Sequence, residues 1–185
     1  MLFLSKAEGW LLVKLYLTGP VGAGKSTLAR RLAQELSLPC FSMDDVVYEY
    51  NPVNRKRSPS ERDAIFHDIL RRENWVMEDT GRKCFVAAWD EADRILLLEP
   101  PALLRRYRIV RRWIRQNMGW EPCGYTPSFA MLRRMFFWSK NYETGDDGFK
   151  NRLLAYGGKV IVCRHEKDIV ALLSAFAPQS PILPQ

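Results

Sequence analysis

Gly19-Pro20-Val21-Gly22-Ala23-Gly24-Lys25-Ser26 carries the densest chemistry in this chain, and it fits the spacing G-x-x-x-x-G-K-[ST]. A loop can aim its backbone N–H groups at a phosphate only if it bends tightly and keeps side chains out of the way. That requirement accounts for Gly19, Gly22, Ala23 and Gly24. Lys25 is then placed to reach the outer phosphates as a point charge, and the Ser26 hydroxyl to ligate Mg²⁺. A helix starting near Lys25 adds its free N–H groups and the positive end of its dipole. A glycine-rich turn that merely precedes a helix is the simpler explanation of the glycines alone. The flanks favour the phosphate loop: a β-type run, Leu11–Leu17, leads in, and "STLARRLAQEL" leads out. Gly19 to Thr27 is therefore the expected phosphate-binding segment.

Carboxylates and arginines supply the remaining candidates. In "FSMDD", Asp44 or Asp45 could take a proton from an attacking hydroxyl or hold a water on a metal ion, and either could equally cap a helix. "MEDTGR" offers Glu78 and Asp79 as carboxylates for the metal shell, one of which could instead cap the next helix. In "EPPALLRRYRIVRRWIRQ", helical spacing places Leu103, Tyr107, Val110 and Ile114 on one stripe, with Arg105, Arg108, Arg111, Arg112 and Arg115 in an adjoining arc. Guanidinium groups crowded on one face call for an anion. Arg108, Arg112 and Arg115 are the candidates to stabilise a migrating phosphoryl group, and a solvated or DNA-contacting basic face is the alternative.

Positioning these groups requires an α/β fold. Short apolar runs alternate with amphipathic stretches, the pattern of a five-stranded parallel sheet with helices on both faces. Strands are expected near Leu11–Thr18, Pro39–Met43, Trp75–Glu78, Arg94–Leu98 and Lys159–Cys163. Helices are expected near Lys25–Leu36, Ser60–Arg72, Lys83–Trp89, Pro101–Gln116, Ser128–Tyr142, Asp147–Tyr156 and Glu166–Phe176. In such sheets ligands lie at the carboxyl ends of the strands, where the candidate residues fall. "FAMLRRMFFWSKNY" is apolar on nearly all sides and reads as a helix sandwiched in the core.

Composition narrows the classes. A chain of 185 residues, 47% hydrophobic, can bury one substantial core, and no linker or repeat divides it. A single domain over residues 1–176 is expected, with a helical lid near 105–145 and an irregular tail at 177–185. Cys40, Cys84, Cys123 and Cys163 are scattered without a C-x-x-C pair, which points away from zinc and disulfides and toward a reducing cytoplasm. His67 and His165 have no partners at metal or nucleophile spacing. Lys6, Glu8 and Lys14 interrupt the apolar N-terminus, so neither a signal peptide nor a membrane span is expected. The net charge of +7 suits polyanionic partners without separating nucleotides from nucleic acid.

The ordered blocks also resemble a known family. The phosphate loop, Asp44 followed by Tyr48, "NWVMED", "EADRILLLEPP", "RRYRIVRRWIRQ", "FFWSKNY" and "KVIVCRHEKDIVALL" occur in the order of the DNA topology modulation proteins, from about Leu12 to Leu173. These are similar to small adenylate-kinase-related P-loop kinases. The resemblance implies a nucleoside-monophosphate-kinase-like core with an arginine-bearing lid. Two positions depart from the pattern. Glu78-Asp79 stands where the family has Asp-Gly, so the metal-shell role could fall to either residue, and Glu143-Thr144 stands where an arginine is common.

No N-K-x-D guanine motif or transport-ATPase signature loop is present. The expected activity is an ATP- and Mg²⁺-dependent phosphotransferase acting on a nucleotide or small-molecule acceptor. Lys25 and Asp44 would be catalytic, with Ser26, Asp44 and Glu78 or Asp79 around the metal. The alternatives are a nucleotide-gated, non-specific DNA-binding protein and a degenerate kinase that uses ATP as a switch.

Overall fold

A computed structural model describes residues 13–50, 55–144, 149–165 and 167–169 of the chain. Five strands form one parallel sheet: β1 (Lys14–Thr18), β2 (Cys40–Ser42), β5 (Trp75–Glu78), β6 (Arg94–Leu98) and β7 (Val160–Cys163), in the order β2-β5-β1-β6-β7. A second pairing, β3 (Tyr48–Glu49) with β4 (Arg55–Lys56), is a small antiparallel hairpin. The helices are α1 (Lys25–Leu36), α2 (Met43–Val47), α3 (Pro59–Leu70), α4 (Ala87–Glu91), α5 (Ala102–Asn117), α6 (Phe129–Thr144) and α7 (Phe149–Leu154).

Strand alternation builds the core on both faces of the sheet. Leu15 and Leu17 pack with Val76, Leu96 and Leu98 against Leu28, Ala29 and Leu32 of α1. Tyr16, Met77, Ile95 and Leu97 point the other way, into a layer filled by Phe66, Phe85, Trp89, Phe149 and Leu153. Five parallel strands covered on both sides, with a glycine-rich turn leading from β1 into α1, make the parallel sheet expected from the alternating pattern.

Local signals explain most boundaries. The αL backbone of Gly24 opens α1, and Ser37, also αL, closes it by donating its N–H to the carbonyls of Ala33 and Gln34. α3 starts at a capping box in which Ser58 and Glu61 satisfy each other's backbone N–H groups, with Pro59 in the first turn. Arg55 of the hairpin joins this cap through ion pairs to Glu61 and Glu49. Those contacts fix β4 beside α3, a tertiary arrangement with no signature in the local sequence. Both α2 and the hairpin fall in the stretch after Met43 where no element was expected.

The five sheet strands and α1 lie where they were expected. Two expectations need correction. Lys83–Trp89 is a 3₁₀ turn, Lys83–Phe85, followed by the separate short helix α4. The helix carrying "FFWSKNY" is not sandwiched in the core: Phe137 and Trp138 are exposed, while Met135 and Ser139 are buried. It packs at its start on α5, where Phe129 meets the Trp113 ring at 4.8 Å, and near its end on α7, where Tyr142 meets the Phe149 ring at 6.0 Å. The stripe Leu103, Tyr107, Val110 and Ile114, whose orientation the spacing left open, is exposed, and Arg105, Ile109 and Gln116 form the buried side of α5. The expected tail 177–185 and most of the last expected helix lie outside the described residues; within it, 167–169 are helical. Among the described residues the four cysteines are free, and no helix is long and apolar enough to cross a membrane.

Candidate active site

The loop between β1 and α1 is held from above and behind by backbone contacts that leave no room for side chains. A Cβ at Gly19 (φ +144°) would lie 2.3 Å from the Leu98 carbonyl oxygen, and one at Gly22 (φ +80°) 2.8 Å from that of Arg105. β6 and α5 therefore set the loop's position. Ala23 donates its N–H back to the Pro20 carbonyl at 3.2 Å, closing the turn.

Lys25 is buried, and its ammonium donates to the carbonyls of Gly19 at 2.9 Å and Pro20 at 3.0 Å. Burial pulls its pKa below that of an ordinary lysine, an effect opposed by the nearby carboxylates of Glu78, Asp79 and Asp44. The next residue, Ser26, donates its hydroxyl to Glu78 Oε1 at 3.0 Å, and Ser42, at the end of β2, donates to the same oxygen at 2.8 Å. Strand register explains this convergence: Glu78 is the Cα partner of both Leu17 on β1 and Ser42 on β2.

Asp79, one residue on, has a different environment. Its side chain is fully buried and accepts N–H groups from Gly81 at 2.7 Å and Arg82 at 2.6 Å and the Tyr16 hydroxyl at 3.2 Å. Burial, then the charge of Asp79, raises the Tyr16 pKa well above the usual phenol value. Arg82 spans the two acidic clusters, with one guanidinium nitrogen on Asp79 and the other on Asp44 Oδ1. Although burial opposes it, Asp79 and Asp44 hold Arg82 firmly protonated. Asp44 stands half-exposed at the edge of the site, and the pKa of Asp45 beside it is pushed up by burial and by Asp44. Tyr50 is pushed up to about 12 by burial and by the charges of Asp44 and Asp45. Its ring covers Gly124, where a Cβ would lie 2.4 Å from Tyr50 Cδ1, so the α5–α6 connection meets the hairpin across this mouth.

The expected arginine arc is dispersed. Arg105 is buried beneath the loop, Arg108 Nη1 donates to the Ala23 carbonyl at 2.8 Å, and Arg112 and Arg115 share Glu121 at 3.3 and 3.5 Å. Of the three lid candidates only Arg108 touches the phosphate loop. Single alanine substitutions are therefore expected to be unequal. Arg108→Ala should lower phosphoryl transfer on the order of 10²-fold, while Arg112→Ala and Arg115→Ala stay within roughly tenfold. Equal losses in steady-state kinetics at all three would contradict this geometry.

The Ser26 hydroxyl and the Glu78 carboxylate are both oxygen ligands, which suits Mg²⁺, and the pair leaves positions for water and phosphate oxygens. Among the described residues no cluster of three or more His, Cys, Asp or Glu forms a ready-made metal cage. Ser42, Arg82 and Tyr50 were not singled out from the sequence as site residues. Ser42 sits in "FSMDD" as an ordinary strand end, and Arg82 is brought back to the site only by the turn at Gly81 (φ +91°).

Fold and site together define a P-loop protein of shikimate-kinase-like architecture. Residues 15–99 match the model of the ATPase family associated with various cellular activities (AAA). Over 74 residues the chain is 51% identical to the shikimate kinase of Actinobacillus succinogenes, covering 37% of this chain and 38% of that one. Over 80 residues it is 34% identical to the shikimate kinase of Francisella tularensis subsp. novicida, covering 36% and 44%. The chain thus spans less than half the length of these curated relatives. Among solved structures, shikimate kinase from Acinetobacter baumannii in complex with shikimate aligns with a TM-score of 0.58 at 16% identity, over 89% of this chain and 90% of that one. A gluconokinase from Sinorhizobium meliloti aligns with a TM-score of 0.51 at 14% identity, over 91% and 95%. These likenesses carry the P-loop part of the expected kinship; they do not carry its DNA topology modulation part.

Proposed function

We propose that this protein is an ATP-dependent kinase that transfers the γ-phosphoryl group to a hydroxyl of a small metabolite. The observation that carries this reading is the convergence of the Ser26 and Ser42 hydroxyls on Glu78 Oε1, beside the Lys25 ammonium and at the carboxyl ends of β1, β2 and β5. ATP with Mg²⁺ supplies the phosphoryl group and neutralises part of its charge. The loop amides of Gly22 to Lys25 cradle the phosphates, and Lys25 neutralises the outer ones. Ser26 and Glu78 hold the metal shell, while Asp79 is structural. Arg82 holds the Asp44 carboxylate in place, so that Asp44 can take the proton of the attacking hydroxyl. Arg108 meets charge developing at the loop.

For the acceptor, the shikimate kinase and gluconokinase likenesses favour a small hydroxylated carboxylic acid over a nucleoside monophosphate. DNA binding as the main role is less well supported, because Arg105, Arg108, Arg112 and Arg115 of α5 are dispersed among the core, the loop and Glu121 instead of forming one free face.

A coupled ADP-release screen over shikimate, gluconate and the nucleoside monophosphates tests both levels. ADP release above the acceptor-free blank is expected with a hydroxy acid. Turnover with nucleoside monophosphates only would overturn the acceptor class, and no stimulation by any acceptor would overturn the kinase. With a working acceptor, Asp44→Asn should lower kcat by roughly 10²–10⁴-fold and change ATP affinity little. Unchanged kcat would reduce Asp44 to a helix-terminus residue.

A further inference from the structure

Helix α5 carries two opposed faces, and only one of them is used by the fold. Arg105 and Ile109 lie under the phosphate loop, and Gln116 is buried further along the same side. Opposite them, at 100° per residue, lie Leu103, Tyr107, Val110 and Ile114. Their exposures are 77%, 61%, 37% and 43%, far above what apolar side chains on a core helix show. The steps between them are four, three and four residues, the a/d spacing of a coiled-coil seam, and the stripe runs roughly 17 Å along the helix at 1.5 Å per residue.

The flanks of the seam indicate what could cover it. Arg106 borders it on one side and Arg111 on the other, both exposed, and no carboxylate among the described residues pairs with either. In a coiled-coil frame these are the positions that select a partner by charge. A second copy of α5 would set arginine against arginine in either orientation, on a chain whose net charge is already +7. Tyr107 alone among the four offers a flat ring on which a base could stack, too little for a platform that takes successive bases. Leu104, also exposed, widens the apolar band at its start, but from Arg106 onward the band is narrow and has an arginine on each edge, unlike the wide apolar face of a helix lying in a lipid surface.

We propose that the outward face of α5 docks an amphipathic helix of another protein, with apolar residues at a/d spacing and glutamate or aspartate beside them. Such a helix would lie across the back of the element that holds the phosphate loop.

The test uses the full chain and a three-heptad helical peptide with leucine at a and d and glutamate at e and g, compared with a twin carrying lysine at e and g. In calorimetry the glutamate peptide is expected to bind at least tenfold more tightly than the lysine twin. Tyr107→Ser with Val110→Ser, both on the exposed face, should lower that affinity at least tenfold while circular dichroism and the melting temperature stay unchanged. Arg106→Glu with Arg111→Glu should reverse the preference toward the lysine peptide. Equal binding of the two peptides, or a preference untouched by the arginine reversal, would overturn the proposal. So would tighter binding to phosphatidylserine vesicles or single-stranded DNA than to the glutamate peptide, or a self-dimer that the Tyr107/Val110 variant dissolves.

Discussion

Glu78→Gln and Asp79→Asn, neighbouring and chemically identical changes, are expected to fail in opposite ways. The fully buried carboxylate of Asp79 takes two backbone N–H groups, the Tyr16 hydroxyl and the Arg82 guanidinium. An amide there turns an NH₂ toward donors and leaves Arg82 with half its countercharge. Breaking a buried pair of this kind costs about 2–4 kcal/mol, or roughly 5–10 °C in melting temperature for a chain of this size. Glu78 instead accepts two hydroxyls on a single oxygen, a task glutamine's carbonyl performs equally well. Glu78→Gln should therefore melt near the wild type. What it loses is the negative charge of the metal shell, and kcat should fall by roughly 10²–10³-fold. Differential scanning fluorimetry beside steady-state kinetics separates the two. A stable, inactive Asp79→Asn together with an unstable, active Glu78→Gln would reverse the assignment.

Lys25→Met should all but remove ATP binding while leaving the fold in place. Two charge-assisted hydrogen bonds to phosphate would be lost, about 3 kcal/mol or more, which is on the order of 10²-fold in affinity. The methionine stem keeps the packing. Removing the charge also relieves a desolvated ammonium whose pKa is lowered by burial. The sign of that shift matters. Because the unfolded chain holds this proton more tightly than the folded one, the ammonium opposes folding at neutral pH, and its penalty fades as pH rises through the lowered pKa toward the ordinary lysine value. ATP needs the protonated form, so wild-type affinity should decline with rising pH at a lower pH than for an exposed lysine. Lys25→Met should lack that limb. Calorimetry across the alkaline range checks both points, and wild-type affinity in the mutant would remove Lys25 from the phosphate site.

Much of the site was legible because it is written in local spacing. The phosphate loop needs consecutive glycines, a lysine and a hydroxyl at fixed separations, and nothing distant is required to recognise it. The five sheet strands were legible for a similar reason, since runs such as "RILLL" are buried on both faces and have no other stable place. The roles of Glu78 and Asp79 were not separable in this way. Adjacent residues on a strand point to opposite faces, and only the pairing of β5 between β1 and β2 decides which side faces Ser26. Arg82 was invisible for a related reason: its two carboxylate partners are 38 and 3 residues away in sequence.

Helix α5 marks the division between sequence and tertiary structure most clearly. Periodicity establishes by itself that Leu103, Tyr107, Val110 and Ile114 share one face and that the arginines lie beside it, because helical geometry alone requires it. It does not say which face turns inward. That depends on the shape of the surface beneath, where Gly19, Gly22 and Gly24 strip the loop of side chains and let the helix approach so closely that the Arg105 carbonyl and Ile109 rest on Gly22. Contact at that distance, together with the Arg108 bond to Ala23, outweighs burial of a four-residue apolar seam. The sequence determined the phosphate loop, the sheet and the two faces of this helix. Tertiary packing decided the helix's rotation, and with it which arginine reaches the loop and which apolar face is left to solvent.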